Sequence, residues 1–165
     1  MSDGRFEKLV EEHSRLVLNV ALRVLGNAEL AQDVHQEVFL AIWRRWGKFN
    51  GDTKWNAYLY RAAVRKSLEL ARREKRMPVR EQQDRTDINQ ERPDGALRTA
   101  ELQRRIQQCL VRLPRRQAEV FVLARLEGLP YPQIARLLDC CESTVKVHLH
   151  RAVKRLAGQL AEFLE

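Results

Sequence analysis

The sequence contains no apolar run that approaches the length needed to cross a bilayer, and its first 13 residues lack the hydrophobic core of a signal peptide. Cysteine is scarce. Cys109, Cys140 and Cys141 are an odd number and cannot form a framework of paired disulfides. We therefore expect a cytoplasmic protein with reduced thiols and no membrane insertion.

Patterns for metal binding or catalysis are also missing. Cys140, Cys141, His148 and His150 do not have a standard zinc spacing. His148 and His150 are two positions apart on a predicted helix, so their side chains point about 200° away from each other. We expect Cys140 to be a small apolar residue at a turn and Cys141 to be a turn residue. No nucleophile–base pair or phosphate-binding glycine loop is present. We expect no enzymatic activity, no metal and no cofactor.

What the sequence does have is positive charge, in two blocks. The 165 residues carry 30 Lys and Arg against 22 Asp and Glu, a net charge of +8. Residues 1–76 hold 15 basic and 10 acidic side chains, and residues 96–165 hold 12 and 7. The segment 77–95 holds 3 and 5, with two prolines and a glycine. This pattern predicts two basic domains, a flexible linker and a polyanionic partner.

Three helices are predicted in the first domain, at about 6–25, 28–46 and 55–76, with Gly26 ending the first. On the second helix, one face is apolar: Ala31, Val34, Val38, Ala41 and Ile42, widened by Phe39, Trp43 and Trp46. The opposite face places Leu40 among polar residues, which are Asp33, Gln36, Glu37 and Arg44. Such a face is either solvated or a protein contact with an apolar centre and a polar rim.

The third helix has a basic stripe opposite its apolar face. The stripe comprises Tyr58, Arg61, Arg65, Arg72 and Arg76. An arginine stripe can simply aid solubility. An aromatic ring among arginines also suits single-stranded or melted DNA, because guanidinium groups bind phosphates and a ring stacks on an unstacked base.

The second domain ends in a helix-turn-helix pattern. Helices are predicted at about 96–110, 115–127 and 132–138, and a long one from Thr144 with Ser143 as N-cap. Its expected core face is Val145, Leu149, Ala152, Val153 and Leu156. Its first residues would meet base edges and its later ones phosphates. The candidates are Thr144, Lys146, Val147 and His148 for bases, and His150, Arg151, Lys154 and Arg155 further along or on the far side.

These motifs together resemble the extracytoplasmic-function (ECF) sigma factors of bacteria over nearly the whole chain. AQDVHQEVFLAIW resembles the family's core-polymerase-binding helix, with Asp33, Gln36, Glu37 and Phe39 matching its D-x-x-Q-E-x-F pattern. AYLYRAA resembles the helix that binds the promoter −10 element. LPRRQAEVFVL, EGLPYPQIARLL and STVKVHLHRAVKRL resemble the region that holds the −35 helix-turn-helix.

The resemblance implies an all-α fold of two small domains: a region 2 domain at 1–76 and a region 4 domain at 96–165, joined by the linker at 77–95. It implies that core RNA polymerase binds Asp33, Gln36, Glu37, Leu40 and Arg44. It also implies that a flipped −10 base binds near the loop and helix that carry Lys48, Asn50, Lys54, Trp55, Tyr58, Arg61 and Arg65. The −35 element would be read from the helix of Ser143 and Thr144. We expect a monomer when free, which an anti-sigma factor could hold inactive.

The chain departs from the family's pattern at several positions. Arg65 replaces a common asparagine of the −10 helix, Asp139 replaces the turn glycine, and Pro130 replaces a capping serine. Val147 and His148 stand where many members have serine and arginine. These departures predict an unusual promoter preference or weaker −35 contact.

Two other functions are compatible with parts of this pattern. One is a sigma-like decoy that binds an anti-sigma factor and not DNA, although basic residues are intact on both DNA-facing helices. The other is a helix-turn-helix repressor that acts without polymerase, which would leave the first domain without a purpose.

Overall fold

The structure, a computed structural model, describes residues 4–76 and 94–164, and within those ranges the chain is helical without a strand. The all-α prediction is therefore confirmed. The described residues form seven α-helices, which are α1 Arg5–Leu25, α2 Ala28–Arg44, α3 Trp55–Arg76, α4 Asp94–Leu110, α5 Arg115–Phe121, α6 Tyr131–Leu138 and α7 Glu142–Leu164. In these two ranges, no helix is long and apolar enough to cross a membrane.

The predicted linker falls mostly outside the described residues. Of the segment 77–95, only Asp94 and Gly95 are described, and both already belong to α4. That helix begins two residues earlier than the periodicity predicted.

Helices α1, α2 and α3 pack on one another to form the first unit. Their apolar stripes meet in a core that includes the fully buried Val17, Val34, Ile42, Leu59 and Val64. Gly26 ends α1 as predicted, because its φ of 64° is left-handed and its N–H donates to the Leu22 carbonyl. Asn27 then starts α2, its side chain accepting a hydrogen bond from the Leu30 N–H.

Helix α2 is shorter and less buried than its sequence predicted. It ends at Arg44, and residues 46–48 continue as a 3₁₀ turn, because Arg45 leaves helical geometry at φ −114° and ψ 17°. Ala41 is exposed and Trp43 is 44% exposed, so both predictions of burial were wrong. The reason is that α1 and α3 cover only a narrow stripe of α2, while the Trp43 ring packs at its edge against Phe6, 4.8 Å between centroids.

Helices α5, α6 and α7 pack around a second core. Leu123, Ile134, Val145 and Ala152 are fully buried there. The helix predicted at 115–127 is interrupted: α5 passes at Val122 into a π-helical turn that runs to Leu126. Val153, which was predicted to face the core, is 39% exposed.

The turn between α6 and α7 has the geometry of a helix-turn-helix. Asp139, which caps the C-terminus of α6, adopts a left-handed conformation with φ 55° and ψ 53°. An aspartate accepts this conformation at modest cost, as predicted. Ser143 is not the N-cap of α7, because the helix already begins at Glu142. The Cys141 carbonyl instead accepts the first helical hydrogen bond, from the Val145 N–H at 3.2 Å.

The second unit packs directly against α1 and α3 of the first. Arg23 of α1 pairs with Glu127, 2.6 Å between Nη1 and Oε2. Arg72 of α3 donates from Nη2 to the Leu113 carbonyl at 3.2 Å. Tyr60 lies near Glu127, and burial together with that carboxylate raises the pKa of its phenol. These contacts set the surroundings of the site residues described next.

Candidate nucleic-acid and protein interfaces

The polar face of α2 lies on the surface. Asp33, Gln36 and Arg44 are exposed, and Leu40 is 41% exposed among them. Glu37 is less accessible, because its carboxylate pairs with Lys66 at 3.1 Å and with Arg73 at 3.6 Å on α3. The face thus combines an exposed leucine with hydrogen-bonding groups, which is the composition of a protein contact.

The loop before α3 is built on four aromatic rings. Trp46 and Trp55 stack at 5.9 Å between centroids, and Phe49 lies 5.0 Å from Trp55. Tyr58 meets both Phe49 and Trp55 edge-on, at 5.4 and 5.7 Å. Such edge-to-face and offset pairs hold rings in fixed positions. We call these four residues the aromatic cluster.

The aromatic cluster fixes a loop whose polar residues face solvent. Lys48, Asn50 and Lys54 are exposed, while Trp55 and Tyr58 are half-buried. The Asn50 side chain is used within the loop, since its Oδ1 accepts a hydrogen bond from the Asp52 N–H at 3.1 Å. Trp46 and Phe49 were not predicted as site residues, although the aromatic spacing of WGKFNGDTKW could have indicated them.

The arginine stripe of α3 is partly covered by the second unit. Arg61, Arg65 and Arg72 are all half-buried. The Arg65 Nε lies 3.3 Å from Oε1 of Glu119, a residue of α5 that is 1% exposed. Arg76 belongs to α3, but its side chain lies outside the described residues. The stripe predicted to face solvent or DNA therefore also faces the second unit.

Glu119 has three arginine partners. Besides Arg65, its carboxylate meets Arg115 Nε at 3.1 Å and Arg116 Nη1 at 3.5 Å. A buried carboxylate requires such partners, because burial without them costs several kcal/mol. We call these four residues the Glu119 cluster. Sequence reasoning missed it, since nothing local marks Glu119 as buried or as a partner of a residue 54 positions earlier.

The first turns of α7 expose several basic residues. Lys146, Val147, His150, Arg151, Lys154 and Arg155 are exposed, as is Ser143. Thr144 is half-buried, and so is His148, whose Nδ1 is buried without a hydrogen-bond partner. Val147 is the exposed apolar residue expected near base edges, at 45% exposure.

The two adjacent cysteines have different environments. Cys140 packs against the core and Cys141 is exposed, in agreement with the sequence prediction. The hydroxyls of Ser143 and Thr144, each 3.1 Å from the Cys141 Sγ, lower the pKa of that thiol to about 7. Among the described residues, no group of His, Cys, Asp and Glu side chains is arranged to hold a metal ion.

The described residues thus combine a helix-turn-helix whose second helix exposes basic side chains with a separate exposed polar face on α2. Comparison with known families identifies the class of protein. The family Sigma-70 region 2 matches residues 9–77, and Sigma-70, region 4 matches residues 103–156.

Individual relatives agree with the family matches. The chain is 29% identical to RNA polymerase sigma-H factor of Pseudomonas aeruginosa, over 96% of this chain and 88% of the relative. It is 31% identical to ECF RNA polymerase sigma factor SigM of Mycobacterium tuberculosis, over 94% and 76%. A solved complex of the sigma factor RpoE with the anti-sigma factor NepR from Bartonella quintana is similar in fold, with a TM-score of 0.56 and 20% identity over 96% of this chain and 98% of that one. The chain belongs to the ECF sigma factors and is an alternative sigma factor that directs transcription.

Proposed function

We propose that this sigma factor binds core RNA polymerase through the exposed face of α2. Asp33, Gln36, Leu40 and Arg44 offer an apolar centre with a polar rim, and none of the other described elements covers them. Glu37 supports the face through its pairs with Lys66 and Arg73. The protein itself performs no chemistry and acts in the cytoplasm, where the polymerase is.

The same protein recognises promoter DNA with two surfaces. The N-terminal part of α7 enters the −35 major groove, with Lys146, Val147 and His148 near the bases and Arg151, Lys154 and Arg155 near phosphates. The loop held by the aromatic cluster binds the melted −10 strand, with Lys48, Lys54 and Arg61 close by. The observation that carries this proposal is the exposed basic face of α7 in a complete helix-turn-helix.

Transcription from a genomic fragment library tests the function as a whole. Purified bacterial core polymerase should produce discrete new start sites only when this protein is added, and aligned upstream sequences should reveal the two elements. Core binding without transcripts would argue against promoter recognition. Absence of both would refute the proposal and favour a sigma-like decoy.

A double variant tests the polymerase face. Asp33→Ala with Gln36→Ala should abolish binding to core polymerase while the helical circular dichroism stays unchanged. Glu11→Ala with Asn19→Ala is a matched control, because it removes the same chemical groups from exposed positions on α1. If both variants bind core polymerase as the unmodified protein does, the assignment of α2 is wrong.

A further inference from the structure

The Glu119 cluster joins the two units at a residue that belongs to the proposed −10 surface. Arg65 and Glu119 lie on different units, and their side chains are 40% and 1% exposed. Arg115 and Arg116 are neighbours of Glu119 on α5, at positions i−4 and i−3, so the carboxylate retains two local partners without Arg65. Arg65 gains a charge-assisted hydrogen bond only when the units are together.

Other contacts along the same boundary keep α3 close to α5. Arg72, two turns after Arg65, reaches the Leu113 carbonyl. At the far end Arg23 pairs with Glu127, and a Cβ added to Gly26 would lie 2.5 Å from Gln107 Nε2. A cleft of about 370 Å³ next to the Glu119 cluster is lined by Arg65, Arg72 and Arg115, among others. Two ion pairs and a hydrogen bond thus cross the boundary, and such polar contacts are common between domains that move relative to each other.

A carboxylate and a phosphate compete for the same guanidinium donors. While Glu119 accepts the hydrogen bond from Arg65, that Nε cannot donate to a DNA phosphate. Among the described residues, no ion pair joins the exposed face of α2 or the basic face of α7 to the other unit. The contact therefore affects one surface of the protein and leaves the other two accessible.

We propose that Glu119 is an autoinhibitory latch, which holds Arg65 against the second unit and withholds it from the −10 strand until the units separate. The proposal rests on the proposed function for the role of α3 in DNA binding. Separation of the units frees the Arg65 guanidinium, and the expected gain in DNA binding depends on this side chain.

Two measurements on the full chain test the latch. Small-angle X-ray scattering reports whether the free protein expands, and fluorescence anisotropy with a short random-sequence single-stranded DNA reports the availability of α3. Glu119→Gln should raise the radius of gyration and tighten DNA binding by about threefold or more. The reason is that the units are separated in a larger fraction of molecules, in which Arg65 can bind DNA. Glu101→Gln is the matched control, removing one carboxylate whose pair with Arg105 is confined to α4.

Arg65→Gln removes the exposed partner of the ion pair and leaves the buried Glu119 in place. A folding defect caused by replacing Glu119 therefore cannot explain its effect. Arg65→Gln should expand the protein as Glu119→Gln does, without the gain in DNA affinity. The double variant should also lack that gain. Unchanged scattering in both single variants would overturn the proposal, and so would a gain that persists without Arg65. Expansion without DNA binding by any variant would support the latch and refute the −10 part of the proposed function instead.

Discussion

The salt dependence of DNA binding gives a quantitative test of the α7 surface. Four exposed cations lie on this helix: Lys146, Arg151, Lys154 and Arg155. If each neutralises one phosphate, log K falls with log salt at a slope of about −0.9 per contact, or about −3.6 in all. Raising salt fourfold, from about 50 to 200 mM, would then weaken binding about 150-fold.

Removing one contact changes this slope by a predictable amount. With Arg151→Gln, three contacts remain and the slope becomes about −2.7, so the same change of salt weakens binding only about 40-fold. The assay is fluorescence anisotropy with a labelled duplex of arbitrary sequence, titrated at several salt concentrations. The result should not depend on the duplex sequence, because phosphates carry no base information.

A matched variant separates this local effect from loss of net charge. Arg104→Gln also removes one exposed arginine, but from α4, outside the helix-turn-helix. Its slope should equal that of the unmodified protein. If Arg151→Gln has the same slope as the unmodified protein, the phosphate contact is refuted. A loss of affinity confined to particular DNA sequences would mean that Arg151 reads bases.

Three further outcomes are expected. Alkylation of Cys141, followed by mass spectrometry, should accelerate as the pH rises through about 7, where the thiolate forms. Ser143→Ala should move the midpoint of this pH dependence up towards 9, the ordinary pKa of the thiol, because it removes the largest cause of the lowered pKa. A midpoint near 9 in the unmodified protein would contradict the hydrogen bonds to Cys141. Asp139→Gly should stabilise the second unit by about 0.5–1 kcal/mol in urea unfolding, since glycine adopts φ 55° without steric cost, whereas destabilisation would argue against the left-handed turn. Leu59→Ala should cost about 2–5 kcal/mol and lower Tm, because the side chain is fully buried in the first core; a loss below about 1 kcal/mol would mean that this core is loosely packed.

Local sequence signals determined most of the helical architecture. Apolar residues at helical spacing located α3 from Trp55 to Arg76 without error, and Gly26 marked the end of α1. These two predictions succeed because the helical period of 3.6 residues and the left-handed conformation of a glycine depend on neighbours in the chain. The helix-turn-helix followed in the same way, including the left-handed Asp139. Order and spacing of the motifs then indicated the family.

What needed tertiary structure was the environment of individual side chains. The apolar side chains of Trp43 and Val153 lie at the edge of a core, and helical periodicity wrongly assigned both to the buried face. The start of α7 depended on which carbonyl accepts the first hydrogen bond, and Cys141 supplies it in place of Ser143. Periodicity cannot resolve such differences, because they depend on how much of each helix its neighbours cover.

The sequence by itself determined that this chain has two basic helical units and a helix-turn-helix, since these properties are encoded by residues a few positions apart. The tertiary structure alone decided that Arg65 lies against Glu119, that Arg72 reaches Leu113, and that Glu119 is buried. The two pairs are separated by 54 and 41 residues, and neither an ion pair nor a hydrogen bond at such a separation leaves a periodic signal in a single sequence. Only the packing of the second unit against α3 brings these groups together.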